Sequence, residues 1–132
     1  MKPVFGKLED AVAAFDAGDY QKAFRLFKPL AEQEVTEAQA GLAFVYFQSK
    51  GVPEDDAKAV HWYRKASEQG YARAQQKLGW SYLLGKGVPE DNLQAYAWMS
   101  IAAAQGSESA MNSRGTIKGS MTPAQITEAQ KL

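Results

Sequence analysis

Gly51-Val52-Pro53-Glu54-Asp55 recurs as Gly87-Val88-Pro89-Glu90-Asp91, displaced by 36 residues. Laid over one another, residues 36–71 and 72–107 agree at 15 of 36 positions, far more than chance supplies. The identities include Ala38/Ala74, Leu42/Leu78, Tyr46/Tyr82, Ala59/Ala95, Trp62/Trp98, Ala66/Ala102 and Gly70/Gly106. Self-similarity at a fixed period marks stacked repeats. The period continues in degraded form. Ala23-Phe24-Arg25-Leu26-Phe27 lies 36 residues before Ala59-Val60-His61-Trp62-Tyr63, and Ala110 and Gly115 lie 36 after Ala74 and Gly79. Terminal units diverge because one of their faces meets solvent instead of a neighbour.

Within each unit the apolar pattern is helical. Ala59, Trp62, Tyr63 and Ala66 fall at i, i+3, i+4 and i+7, as do Ala95, Trp98, Met99 and Ala102, and Ala23, Leu26, Phe27 and Leu30. A second stripe runs through Ala38, Leu42 and Tyr46, then Ala74, Leu78 and Tyr82. Small residues at Ala38, Ala59, Ala66 and Gly79 allow close helix approach, and the aromatics, Trp62 and Trp98 included, are read as core. Gly70 and Gly106 follow helical stripes where the chain must often take φ > 0. Thr36-x-x-Gln39 and Thr122-Pro123-Ala124-Gln125 read as capping boxes. Gly-Val-Pro-Glu-Asp reads as a loop whose acidic end opens the next helix. Helices are expected near 6–17, 20–33, 37–49, 55–69, 73–85, 91–105, 108–118 and 123–132. They form one domain over 1–132, of four antiparallel pairs with no strands, in units of about 5–35, 36–71, 72–107 and a partial or capping 108–132.

Composition narrows the function classes. The 132 residues carry 15 basic and 15 acidic side chains, so no basic surplus points to nucleic acid or an anionic membrane. With no cysteine, disulfides and thiolate zinc sites are excluded. No apolar run is long enough to span a bilayer, so membrane insertion is not expected. Met1-Lys2-Pro3-Val4-Phe5-Gly6 is followed by charged residues and has no signal-peptide pattern. As given, the sequence reads as cytoplasmic, and a periplasmic chain with its leader removed would read the same.

The residues that recur resemble the Sel-one-like repeat, a relative of the tetratricopeptide repeat. One copy is carried by Ala38, Leu42, Ala43, Tyr46, Gly51, Val52, Pro53, Asp55, Ala59, Trp62, Ala66, Gln69 and Gly70. The next is carried by Ala74, Leu78, Gly79, Tyr82, Gly87, Val88, Pro89, Asp91, Ala95, Trp98, Ala102, Gln105 and Gly106. Gly18-Asp19-Tyr20-x2-Ala23 is closer to a plain tetratricopeptide turn. The resemblance implies an all-α, right-handed superhelix acting as an adaptor or scaffold, in a family whose bacterial members are often exported. Cysteine-rich members have been credited with β-lactam binding; without Cys or Ser-x-x-Lys, that role is not carried over. Arg114 and Lys118 stand where the pattern has Leu and Tyr, so the last unit reads as a cap.

By analogy with tetratricopeptide stacks, partner selection falls to variable positions on the first helix of each pair. These are Glu37, Ala40, Phe44, Phe47 and Gln48, then Arg73, Gln76, Trp80, Leu83 and Leu84, with Asn112 and Thr116 following. Phe44 and Trp80, 36 apart, would lie in register along one groove as aromatic anchors, or pack between helices. Arg73 would hold a peptide carboxylate. His61 is expected at the surface and has no partner at helical spacing for a metal. Gly85-Lys86-Gly87 lacks the strand and ending of a phosphate loop. Glu54-Asp55-Asp56 reads as an acidic helix start, and Ser67, Ser81 and Ser100 have no activating His. The expectation is a groove that binds a protein or peptide, with no cofactor, as a monomer or weak self-associating chain. A structural spacer or self-assembly module is the alternative, and an enzyme the least favoured reading.

Overall fold

The computed structural model describes residues 4–48 and 55–132. Among them are eight helices and no strand: α1 Val4–Asp16, α2 Tyr20–Glu32, α3 Thr36–Gln48, α4 Asp56–Glu68, α5 Ala72–Leu84, α6 Asn92–Ala104, α7 Glu108–Lys118 and α8 Pro123–Gln130. From α1 to α7 each helix packs on its neighbour in sequence, and α8 packs on α6 instead of α7. The result is an all-α superhelix of four helix pairs. One apolar core runs through α1–α5, and a second joins α6, α7 and α8.

Three aspartates, 36 residues apart, start the second helix of three successive pairs. Asp19 accepts from the Lys22 amide, Asp55 from Lys58, and Asp91 from both Leu93 and Gln94, at 3.0–3.2 Å. Each satisfies an amide that the helix cannot. Because the aspartates are caps in non-helical backbone, α4 and α6 begin one residue later than the expected 55 and 91. The loop over Gly51–Glu54 and the expected helix end at Ser49 lie outside the described residues. Thr122 and Gln125 form the expected capping box of α8, which ends at Gln130 rather than running to the C-terminus.

Second helices end alike. Ser67, Ala103 and Ala31 accept from Gly70, Gly106 and Glu34, while Ala66, Ala102 and Leu30 accept from Tyr71, Ser107 and Val35. This paired closure needs a left-handed residue. Gly70 and Gly106 supply it at φ +89° and +95°, and in the first unit Glu34 is held there at +65°.

Thr36-x-x-Gln39 is not a capping box. Thr36 is already helical, and its hydroxyl donates to Gln69 Oε1 at 2.6 Å. Gln39 turns inward instead and is 1% exposed. Its Nε2 donates to the Ala31 carbonyl in the last turn of α2 at 3.3 Å, and its Oε1 accepts from Gln69 at 2.6 Å. One repeat later, Gln75 donates to the Ser67 carbonyl at 3.1 Å and accepts from Gln105 at 2.7 Å. Each buried glutamine thereby joins three consecutive helices and satisfies a carbonyl at a helix end.

Packing follows the stripes. Ala38, Ala59, Ala66, Ala74, Ala95 and Ala102 are wholly enclosed, as are Leu42 and Leu78. A Cβ at Gly79 would meet the Met99 side chain at 3.1 Å, so the glycine sets the α5–α6 separation. Trp62 and Trp98, expected in the core, are half-buried against it; Tyr63 and Met99, their neighbours in the stripe, are the enclosed residues. A left-handed non-glycine residue costs roughly 1–2 kcal/mol. Glu34→Gly is therefore expected to stabilise the fold by about 0.5–1 kcal/mol after the added freedom of the unfolded chain is discounted. Urea denaturation checks this, and an unchanged or lowered midpoint would contradict it.

Candidate functional site

The first helices of three pairs line a half-open cavity of about 540 Å³. From α1 come Leu8, Val12, Phe15 and Asp16; from α3, Glu37, Ala40, Gly41 and Phe44. From α5 come Arg73, Ala74 and Lys77, with Tyr71 just before it. Phe27 of α2 and Tyr63 of α4 reach it from the second helices. Phe15 is the hinge of its aromatic wall, set edge-on to Phe44 at 5.2 Å and to Phe27 at 6.3 Å between ring centres. Gly41 is required here: a Cβ would lie 2.6 Å from the tip of Phe27, so only glycine lets that ring advance under α3.

Charge is divided across the cavity's lining. Asp16 and Glu37 stand on α1 and α3, Arg73 and Lys77 on α5. The Lys77 ammonium sits 5.9 Å from the centre of the Phe44 ring, within reach of a cation–π contact. The remaining polar side chains of the lining are Tyr63 and Tyr71. Tyr63 is 2% exposed, and its oxygen has no hydrogen-bond partner among the described residues. Burial pushes the phenol well above the usual tyrosine range, so it stays protonated at any ordinary pH.

Of the residues singled out from sequence, Glu37, Ala40, Phe44 and Arg73 meet at this cavity. The others lie elsewhere. Trp80, 36% exposed, and Leu84, 63% exposed, are further along α5 and do not line the cavity, so the in-register pair Phe44 and Trp80 is divided. Gln48 is half-buried, and Leu83 packs against the second core. Phe47 is covered by the Lys86 ammonium, 4.2 Å from its ring centre. Gln76 is engaged with the Ser109 hydroxyl at 2.5 Å, tying α5 to α7. Asn112 and Thr116 are exposed on α7, where the Thr116 hydroxyl donates to the Asn112 carbonyl at 3.2 Å. His61 is exposed beside Trp62. No group of acidic or histidine side chains suited to a metal occurs among the described residues.

Sequence reasoning missed the α1 wall and Tyr63. A signal for the wall existed: Leu8 lies 36 residues before Phe44 and belongs to the same column of the stack. For Tyr63 the stripe gave only an inward direction, not the absence of a partner.

Three segments match the Sel1 repeat: residues 16–35, 36–71 and 72–107. The chain belongs to the Sel1 repeat family. Among solved structures, it is similar to c5321, a protective antigen of uropathogenic Escherichia coli strains displaying an SLR fold, at 30% identity and a TM-score of 0.92. That match covers 97% of this chain and 28% of the antigen. A Sel1 repeat protein from Oxalobacter formigenes is 31% identical, with a TM-score of 0.77, over 81% of this chain and 44% of that one. Helicobacter pylori cysteine rich protein B shares the fold, at 24% identity and a TM-score of 0.68, over 83% of this chain and 92% of that one. The chain thus spans less than half the length of the first two. No match was found among curated proteins. Sel1 repeats commonly scaffold protein complexes. No helix among the described residues is long and apolar enough to cross a membrane.

An enclosed hydroxyl without a partner destabilises a fold by roughly 1–3 kcal/mol. Tyr63→Phe removes the hydroxyl and keeps the ring. It is expected to leave stability unchanged or raise it by about 1 kcal/mol in thermal or urea denaturation. A loss of that size would show that the hydroxyl is satisfied within the fold.

Proposed function

We propose that this Sel1-repeat chain is a protein-binding adaptor whose recognition site is the cavity walled by α1, α3 and α5. The observation that carries the reading is that cavity itself, formed without a ligand, largely apolar, and bearing both signs of charge. Preformed apolar sites with a few placed polar groups favour ligand capture because little ordering remains to be done on binding. Catalysis would call for convergent titratable groups. Here the lining's hydroxyl-bearing residues are Tyr63, whose phenol burial keeps neutral, and Tyr71, and the sequence's one histidine is exposed on α4. Phe44 is the central anchor, and Arg73 offers a two-pronged contact to a carboxylate.

A capture experiment from lysate of the source organism tests this with wild type, Phe44→Ala, Arg73→Glu and the surface control His61→Ala. Retained helicity by circular dichroism is a condition for comparing the variants. Both cavity variants are expected to weaken capture on the order of tenfold or more, and the control to leave it unchanged. Equal capture by all four would overturn the assignment to this cavity. Concentration-dependent association of the chain in sedimentation, insensitive to both substitutions, would favour the self-assembly alternative.

A further inference from the structure

We infer that the chain associates weakly with a second copy of itself, head to tail, the open face of α7 in one copy meeting the open face of α1 in the next. The contact goes beyond the cavity reading. Val12 and Asp16 of α1 also line the cavity, so the contact borders that site without drawing on Phe44 or Arg73.

The seat on α7 exists because a helix is displaced. α3 packs on α4 and α5 on α6, but α8 packs on α6 instead of α7. A face that is covered on α3 and α5 is therefore open on α7. Met111 stands one repeat after the buried Gln75 and is 42% exposed. Gly115 stands one repeat after Gly79. A Cβ at Gly79 would meet Met99 of α6 at 3.1 Å, whereas at Gly115 nothing lies within 4 Å. Met111 and Gly115 are one turn apart, so the open surface is a continuous strip of one helix face.

Charge decides what fits there. Leu42 and Leu78 are wholly buried, and Tyr46 nearly so. The same positions on α7 are Arg114, half-buried, and Lys118, exposed. The other end of the row of first helices shows the reverse. Val45, Ser81 and Ile117 are buried equivalents, and α1 has exposed Glu9 in their place. Packing positions of the repeat thus turn basic on α7 and acidic on α1. On α1, Asp16 shares a face with Glu9, and between them Val12, 41% exposed, and exposed Ala13 give an apolar middle. Lys7 is two residues from Glu9 and so off that face, and Glu108, the acidic residue of α7, lies at the opposite end of that helix from Lys118. Glu9, Asp16, Arg114 and Lys118 form no ion pair or hydrogen bond among the described residues. An acidic strip with an apolar middle therefore complements a basic strip with Met111 and Gly115 at its side.

Since α1 and α7 are different surfaces, the contact is heterologous and either closes into a ring or extends as a filament. One helix face on another buries less than about 1,000 Å², the range of transient interfaces.

Sedimentation velocity on the whole chain, from about 10 µM to 1 mM, tests this. The apparent mass of wild type is expected to rise with concentration, and less so as salt screens the charges. Arg114→Glu/Lys118→Glu and Glu9→Lys/Asp16→Lys should each associate at least about tenfold more weakly, since like charges then face one another. An equimolar mixture of the two should associate again, because each altered strip meets its opposite in the other chain. Gly115→Leu fills the seat without touching the chain's own fold, and should weaken association about tenfold with helicity and thermal midpoint retained; it serves even where a charge-reversed chain does not fold. A wild type that stays monomeric throughout, association indifferent to these substitutions, or no recovery in the mixture would overturn the inference. So would a monomeric chain whose Arg114 and Lys118 instead capture a different protein. Capture through Phe44 and Arg73 is a separate readout: copies that associate and retain it keep the adaptor reading, and association without it leaves self-assembly as the chain's role.

Discussion

A buried glutamine placed between three helices is the constraint on which this stack depends. Gln39 and Gln75 each donate to a carbonyl at the end of one helix and accept from a glutamine at the end of another, two helices further on. An amide that is 1–2% exposed cannot be left half-satisfied without a large penalty. The bonds exist only when consecutive pairs sit in one register. Apolar contacts between alanine-rich helices hold the pairs together but tolerate sliding; the glutamines select one position. The relay stops with the second full unit, because Met111 occupies the place one repeat after Gln75. Beyond that point α8, shorter and differently seated, closes the core from the side of α6.

The cavity's lining departs from regular repetition at Phe27 and Tyr63. Phe27, Tyr63 and Met99 are equivalent residues of the second helices. Phe27 advances because Gly41 has no Cβ to stop it, and Met99 is drawn beneath Gly79. Tyr63 alone carries a hydroxyl at this position, and that oxygen is buried without a partner among the described residues. Positions that repeat in every unit serve packing, while those that break the period around one spot create a local environment. Fold and candidate site thus come from opposite kinds of position in the same sequence.

That division explains what was legible beforehand. The architecture could be read from the 36-residue period, and Gly70, Gly106 and the acidic loop ends gave the boundaries, because local backbone rules act on residue type alone. Thr36-x-x-Gln39 misled, since a glutamine three residues after a threonine can turn back to the backbone or inward, and the choice rests with Ala31 and Gln69 on other helices. Glu34 escaped notice because only comparison with Gly70 and Gly106 shows that its backbone must be left-handed. Glu37, Phe44 and Arg73 followed from the stack analogy, but Trp80 did not join them: the cavity draws its other wall from α1, where divergence had hidden the repeat.

A double-mutant cycle on Gln75 and Gln105 tests the glutamine relay most directly. Urea unfolding of Gln75→Leu, Gln105→Leu and the double variant isolates the energy of the bond between the two amides. A coupling of about 1 kcal/mol is expected, because either single substitution leaves the other glutamine short of its partner. Strictly additive losses, with no coupling outside experimental error, would contradict the relay as the element that fixes the register.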